Sequence, residues 1–186
     1  MALSHTSLQG QLLLDGGKLQ GSFFHRTVVL ICQHDEEGAF GLVLNRASES
    51  KVGQALVANL SDTLKELPLF VGGPVQPGSL SFLHAEGVAA EGNVMNNLSL
   101  GHSLDALMDL SESFSDSQKV KMFAGYAGWS AGQLDQEMAR NDWLVHPATL
   151  ELVFHPDPSM LWKVILRKKD DKLRLLAESP EDLSWN

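Results

Sequence analysis

The chain contains a single cysteine, Cys32, among its 186 residues. One thiol cannot form an intramolecular disulfide, and a single chain cannot build a cysteine-based zinc site from it. Because Cys32 stands in the apolar segment TVVLICQ, we expect it to be a small buried hydrophobe with a raised pKa rather than a reactive thiol. This cysteine usage is typical of a reducing, cytoplasmic compartment.

Basic residues are also scarce. The chain has 14 Lys+Arg against 23 Asp+Glu, which gives a net charge of -9 at pH 7. Autonomous binding to DNA depends on neutralising phosphates, so this acidic balance argues against it. The one basic run, Arg167 to Lys169, is followed directly by Asp170 and Asp171, which largely cancel its field. We therefore expect no direct nucleic-acid partner.

Long apolar runs and established cofactor motifs are absent from the sequence. The longest apolar run near the N-terminus, Leu12 to Leu14, is too short for a signal peptide or a transmembrane span. The glycines do not follow the dinucleotide or P-loop spacing, and neither H-E-x-x-H nor a calcium-loop pattern occurs. The acidic residues after His34 are typical of a solvent-facing turn. We expect no membrane association, no cofactor and no structural metal.

The strand and helix patterns that are present alternate irregularly. Residues 27–33 and 39–44 predict a central antiparallel hairpin, because apolar side chains occupy both of its faces. Further strands are expected near 11–14, 69–71, 80–83, 94–100, 120–124, 143–145 and 150–155, and helices at 51–60, 104–110, 133–141 and 160–167. This order predicts one α+β domain, residues 1–186, with a mainly antiparallel sheet and flanking helices. We expect the polar tail, about 177–186, to be mobile.

The segment from Gly128 to Gly132 reads GWSAG, which fits the G-x-S-x-G pattern of a hydrolase nucleophile elbow. An apolar strand precedes it and a helix follows, but the chain lacks the alternating parallel strands on which such hydrolases are built. Ser130 and Gln133 also form an S-x-x-Q capping box. We expect Ser130 to cap the following helix. A small serine hydrolase centred on Ser130 is the alternative, and anion binding at that helix N-terminus is another.

Three segments together carry a resemblance to a known family: FFHRTVVLICQHDEEGAFGLVLNR, FVGGPV with the later FLH, and GYAGWSAGQLDQEMARNDWLV. In this order, from Phe23 to Val145, they resemble the AlgH/YqgE family of bacterial proteins. The resemblance implies an α+β fold whose sheet is bifurcated and bent into a pseudo-barrel, a cytoplasmic location and no established enzymatic activity. Some members are linked to transcriptional control of alginate production, a link that does not establish contact with DNA.

Two positions depart from the family pattern. Relatives usually have proline after the Asn-Arg pair where this chain has Ala47, which leaves the exit from that strand less constrained. Relatives often have glycine where this chain has Ser130, and this argues further against a nucleophile at that position.

Polar residues of these motifs are the candidates for a binding site. The hairpin register places Thr27 opposite Asn45 or Arg46, so Arg26, Asn45 and Arg46 should lie together at one end of the sheet, where binding residues are common. Alternatively, the two arginines satisfy loop carbonyls or acidic neighbours. We therefore expect a non-enzymatic binding or regulatory protein with an unknown protein or small-molecule partner. The candidate binding residues are Arg26, Asn45, Arg46, His84 and Trp129.

Overall fold

The computed structural model describes residues 6–86, 91–115 and 117–181. The strands are β1 (Gln11–Asp15), β2 (Val28–Asp35), β3 (Gly38–Val43), β4 (Ala47–Lys51), β5 (Pro68–Val71), β6 (Val75–Ala85), β7 (Ser99–Gly101), β8 (Lys119–Ser130) and β9 (Trp143–Pro147). The helices are α1 (Val52–Ala55), α2 (Asp62–Glu66), α3 (Leu104–Glu112), α4 (Gln133–Ala139), α5 (Leu150–Val153), α6 (Leu161–Arg167) and α7 (Asp171–Glu178), with a 3₁₀ turn at Pro158–Met160. None of the helices in these ranges is long and apolar enough to cross a bilayer.

The strands form one sheet in the order β4-β5-β8-β3-β2-β1-β9, with β6 on β8 and β7 on β6. The predicted α+β class is confirmed. β5 runs parallel to β8, whereas the neighbouring β3 runs antiparallel to it, so the sheet is mixed, which corrects the expectation of a mainly antiparallel sheet. No ladder in the described residues joins the end strands β4 and β9. The sheet is therefore open, and the pseudo-barrel implied by the resemblance is not confirmed.

The sheet divides at β8. Residues 122–124 of β8 pair with both β5 and β6, which must therefore lie on opposite edges of this strand, while residues 127–130 pair with β3. The short connection Gly72 to Pro74 thus passes over β8. A Cβ added to Gly73 would lie 2.0 Å from the carbonyl carbon of Tyr126, and one added to Gly125 would lie 2.6 Å from the Gly73 oxygen. Only glycine allows the two backbones to approach this closely.

The central hairpin has the predicted position and register. Val29 pairs with Val43 and Asp35 pairs with Gly38, with a bulge between Ile31 and Gln33. Alternate β2 side chains enter two different hydrophobic clusters on the two faces of the sheet, so both faces are buried as expected. Cys32 is only 3% exposed, and burial raises the pKa of its thiol. The prediction of a buried cysteine is confirmed.

Several other predicted elements are wrong. Of the predicted helix 51–60 only α1 forms, because the chain turns to an extended conformation at Leu56, and the next helix, α2, begins beyond that range. Residues 150–153 are helical rather than extended, and the Thr149 hydroxyl accepts the N–H of Leu152 as an N-cap. Residues 171–178 form α7, whereas the sequence predicted that its last two residues, 177–178, belong to a mobile tail. Residues 182–186 of that tail lie outside the described residues.

Lys121 of β8 is 6% exposed and has its ammonium group in the core. Its Nζ atom donates to the carbonyls of Leu44 at 2.8 Å and Val153 at 3.2 Å, and it lies 4.1 Å from the ring centroid of Phe70. Burial lowers the pKa of Lys121 to about 7, because no solvent stabilises the charged form. The Lys121 amine thus links the end of the hairpin, α5 and β5. Burying the charged form of this amine costs free energy.

The crossing over β8 predicts that two glycine substitutions differ in their effect on the free energy of unfolding. Gly73→Ala should lower the free energy of unfolding by more than about 3 kcal/mol, or prevent folding, because the new methyl group meets the backbone of β8. Gly78→Ala is the matched control, since nothing lies within 4 Å of its added Cβ, and should change stability by less than about 1 kcal/mol. Urea denaturation measures both, and equal effects would contradict the crossing.

Lys121 predicts a pH dependence of stability. Its pKa in the fold lies below the ordinary value of about 10.4, so between pH 7 and 10 the unfolded chain binds more protons than the native protein. The free energy of unfolding should therefore rise with pH, by at most about 1.4 kcal/mol per unit from this group. Urea denaturation at pH 7, 8 and 9 should show a steeper rise for the wild type than for Lys121→Met. Parallel profiles would rule out the contribution of Lys121.

Candidate functional site

Three of the predicted binding residues, Arg26, Asn45 and Arg46, line one cavity of about 300 Å³. Arg26 lies two residues before the start of β2, and Arg46 lies three residues after the end of β3. The predicted hairpin register therefore brings them together. The remaining walls come from the turn before β2 and from the C-terminal part of the chain: His25, Ser159, Trp162, Lys163 and Glu181.

The loop that carries His25 and Arg26 is organised by the carboxylate of Asp15, which is fully buried. Asp15 Oδ1 accepts the N–H groups of Gly17, Lys18 and Leu19 at 2.8 to 3.1 Å. Asp15 Oδ2 accepts the N–H of Arg26 at 2.8 Å. Arg26 has a φ of 54°, a left-handed conformation that is uncommon for a residue with a side chain. The buried carboxylate thus fixes the backbone from which Arg26 extends.

The guanidinium group of Arg26 lies over the indole of Trp162, with Cζ 5.0 Å from the ring centroid. Its Nη2 atom donates to the carbonyls of Ser179 at 2.9 Å and Pro180 at 2.6 Å. Its Nε and Nη1 atoms are buried without a hydrogen-bond partner among the described residues. Neutral oxygens and an aromatic ring therefore surround this cation, which leaves its charge incompletely compensated.

Arg46 contributes the second guanidinium group of the cavity. Its Cζ atom lies 4.4 Å from the ring centroid of Phe23, and its Nη2 atom donates to the carbonyl of His25 at 3.2 Å. Burial lowers the pKa of the Arg46 guanidinium, since desolvation disfavours the charged form. Within the part of the chain that the structure describes, neither Arg46 nor Arg26 has a carboxylate within ion-pair distance.

Asn45 has a structural role in the same site. Its Oδ1 atom accepts the N–H of Val28 at 2.9 Å, and its Nδ2 atom donates to the carbonyl of Arg26 at 2.9 Å. The side-chain amide thus continues the hydrogen bonding of the hairpin beyond β3 and holds the backbone of Arg26. Because both polar atoms of Asn45 are engaged, the two arginines are the better candidates for contact with a ligand.

His84 and Trp129 lie elsewhere in the fold. His84, near the end of β6, pairs with Ser99 and Val120, and burial lowers its pKa. The indole Nε1 of Trp129 donates to Glu137 at 2.9 Å, and the ring packs in the core cluster on the other face of the hairpin. Neither residue lines the cavity of the two arginines.

Ser130 does not have the predicted capping role. The N-cap of α4 is Gly132, with a φ of 70° and no side-chain cap. The Ser130 hydroxyl instead donates to Gln133 Oε1 at 3.3 Å, and the same oxygen accepts the Ser130 N–H at 3.1 Å. β8 ends at Ser130, and the left-handed Gly132 starts the helix two residues later than the capping-box pattern predicts. Gln133, the partner of the hydroxyl, is not a general base, so the geometry gives no support to a serine hydrolase.

The acidic turn after His34 does not form a metal cluster. The His34 side chain is buried, its Nδ1 atom accepts the N–H of Leu8 at 3.1 Å, and its Nε2 atom lies 3.7 Å from Asp135 Oδ1. No group of three potential ligands was found in residues 6–86, 91–115 and 117–181. His34 thus ties the N-terminal segment to the hairpin.

Sequence patterns did not identify the C-terminal wall of the cavity. Trp162 and Lys163 follow an ordinary helical pattern, and Trp162 Nε1 donates to the carbonyl of Asp15, 147 residues away in sequence. No local motif joins residues so distant in the chain. Only the packing of α6 against the loop after β1 places them beside Arg26 and Arg46.

Comparison with known proteins extends over nearly all of this structure. The model of the AlgH-like family (DUF179) matches residues 12–174. A UPF0301 protein of Chlorobium limicola is 37% identical over 175 residues, which cover 92% of each chain. A UPF0301 protein of Shewanella denitrificans is 39% identical over 171 residues, which cover 87% of this chain and 91% of that one.

Two solved structures share the fold. The solution structure of AlgH from Pseudomonas aeruginosa has a TM-score of 0.70 and 28% identity, covering 95% of this chain and 96% of that one. The crystal structure of protein DIP2367 from Corynebacterium diphtheriae has a TM-score of 0.75 and 25% identity, covering 94% of each chain. The family match includes the hairpin, the Gly-Gly-Pro connection and β8, the segments on which the resemblance rested. The chain therefore belongs to the AlgH-like family of UPF0301 proteins, whose molecular function is unknown.

Proposed function

We propose that this protein is a cytoplasmic, non-enzymatic binding protein whose ligand is a small anion held between Arg26 and Arg46. The observation that carries the proposal is that these two guanidinium groups, which have no carboxylate partner among the described residues, line one cavity of about 300 Å³. Cavities of this size are within the range of small-molecule sites.

The charge of the cavity differs in sign from that of the chain. The protein carries a net charge of -9, yet Arg26, Arg46 and Lys163 line the same cavity, together with one carboxylate, Glu181. Partial desolvation strengthens the interaction of a guanidinium group with an anion, and its planar donors match carboxylate and phosphate oxygens. An incoming anion would replace the missing counter-charge.

The partners of the polar groups around the cavity favour binding over catalysis. The Ser159 hydroxyl donates to Asp157 Oδ1 at 2.5 Å, and no described histidine is its hydrogen-bond partner. The Asp15 carboxylate accepts four backbone N–H groups, so both of its oxygens are engaged by the backbone. Ser159 is thus bonded to Asp157 and Asp15 to the backbone, and they do not form a nucleophile and base pair.

Titration calorimetry with inorganic phosphate tests the proposal. We expect saturable binding to the wild type that weakens as the salt concentration increases. Arg46→Gln should raise the Kd at least about tenfold, which corresponds to the loss of one charge-assisted hydrogen bond.

Arg174→Gln is the matched control, because Arg174 lies on the exposed side of α7 and pairs with Asp171 outside the cavity. It should leave phosphate binding unchanged. Circular dichroism checks that each variant is folded. Non-saturable binding to the wild type, or an equal loss in both variants, would reject the anion site.

A further inference from the structure

An apolar cleft of about 540 Å³ adjoins the cationic cavity. The two share Asn45, Arg46 and Ser159 as walls, so these three side chains border both spaces. Beyond Arg46, the cleft is lined by apolar side chains: Phe23, Ala47, Val71 and Pro158.

Arg46 stands at the junction of the two environments. Its guanidinium group lies on the ring of Phe23, which belongs to the cleft, while its Nη2 atom donates to the carbonyl of His25, which lines the cavity. A ligand that places an anionic group beside Arg46 therefore has apolar surface within reach of its next atoms. A small inorganic anion would leave that surface exposed to water.

We infer that the ligand is a small amphiphilic anion, with a carboxylate or phosphate head between Arg26 and Arg46 and an apolar chain or ring in the cleft of Phe23, Val71 and Pro158. This inference rests on the proposed anion site and adds the chemical class of its ligand. Burial of the apolar part supplies affinity, and the arginines select the charged head. The one acidic residue of the cleft, Asp157, has its Oδ1 atom occupied by Ser159.

A homologous series of straight-chain carboxylates tests the apolar half of the site. Acetate, butyrate, hexanoate and octanoate share one head group, so calorimetry isolates the effect of chain length. We expect the Kd to fall about three- to fourfold for each added methylene until the cleft is filled. The neutral compound 1-octanol should bind at least about tenfold more weakly than octanoate, because it lacks the charged head.

Ala47→Phe provides the structural test. Ala47 lies on the exposed strand β4, where an aromatic residue is tolerated, and the larger side chain should fill the cleft. The variant should bind octanoate no better than acetate and should retain the phosphate affinity of the wild type. Val57→Phe is the control, because Val57 is fully exposed outside the cleft, and it should retain the chain-length dependence.

The outcomes separate the two proposals. If phosphate binds and chain length has no effect, the amphiphile is rejected and the anion site remains. If neither phosphate nor any carboxylate binds, both are rejected. Binding to vesicles of anionic phospholipid without binding to free octanoate would also reject the small amphiphile, in favour of a membrane surface. An unchanged chain-length dependence in Ala47→Phe would place the apolar part outside this cleft.

Discussion

The passage of the Gly72 to Pro74 connection over β8 is the constraint on which the rest of the fold depends. The Gly72 N–H donates to the carbonyl of Ala124 on β8, and the Gly72 carbonyl accepts the N–H of Val43 on β3. This one residue therefore links both branches of the divided sheet. Side chains at Gly73 or Gly125 would separate the backbones, and β5 and β6 could not occupy opposite edges of the same strand.

The position of the candidate site follows from this crossing. Because β3 and β5 meet where the sheet divides, the carbonyl of Arg46 accepts the N–H of Val71 at 2.8 Å. That bond places the last residues of the hairpin beside the end of β5, with the guanidinium group of Arg46 on one side and the side chain of Val71 in the apolar cleft. The cationic cavity and the apolar cleft are thus consequences of the strand arrangement.

Two polar side chains, the buried Asp15 and the partly buried Asn45, then complete the site. Asp15 orders the loop that carries Arg26 and, through its backbone carbonyl, accepts the indole N–H of Trp162. Asn45 continues the hairpin hydrogen bonding up to the same arginine. Satisfied polar networks of this kind hold a side chain in one geometry, because each broken bond would leave a buried donor or acceptor without a partner.

The sequence by itself determined the elements whose signal is local. The β2–β3 hairpin follows from its apolar pattern and acidic turn, and its register was sufficient to bring Arg26, Asn45 and Arg46 together. The tertiary structure decided the division at β8, the helical state of residues 150–153 and the contribution of Trp162 and Lys163 to the cavity. Each of these depends on contacts between residues distant in the chain, and a short apolar segment such as 150–155 satisfies strand and helix patterns equally well until its neighbours select one.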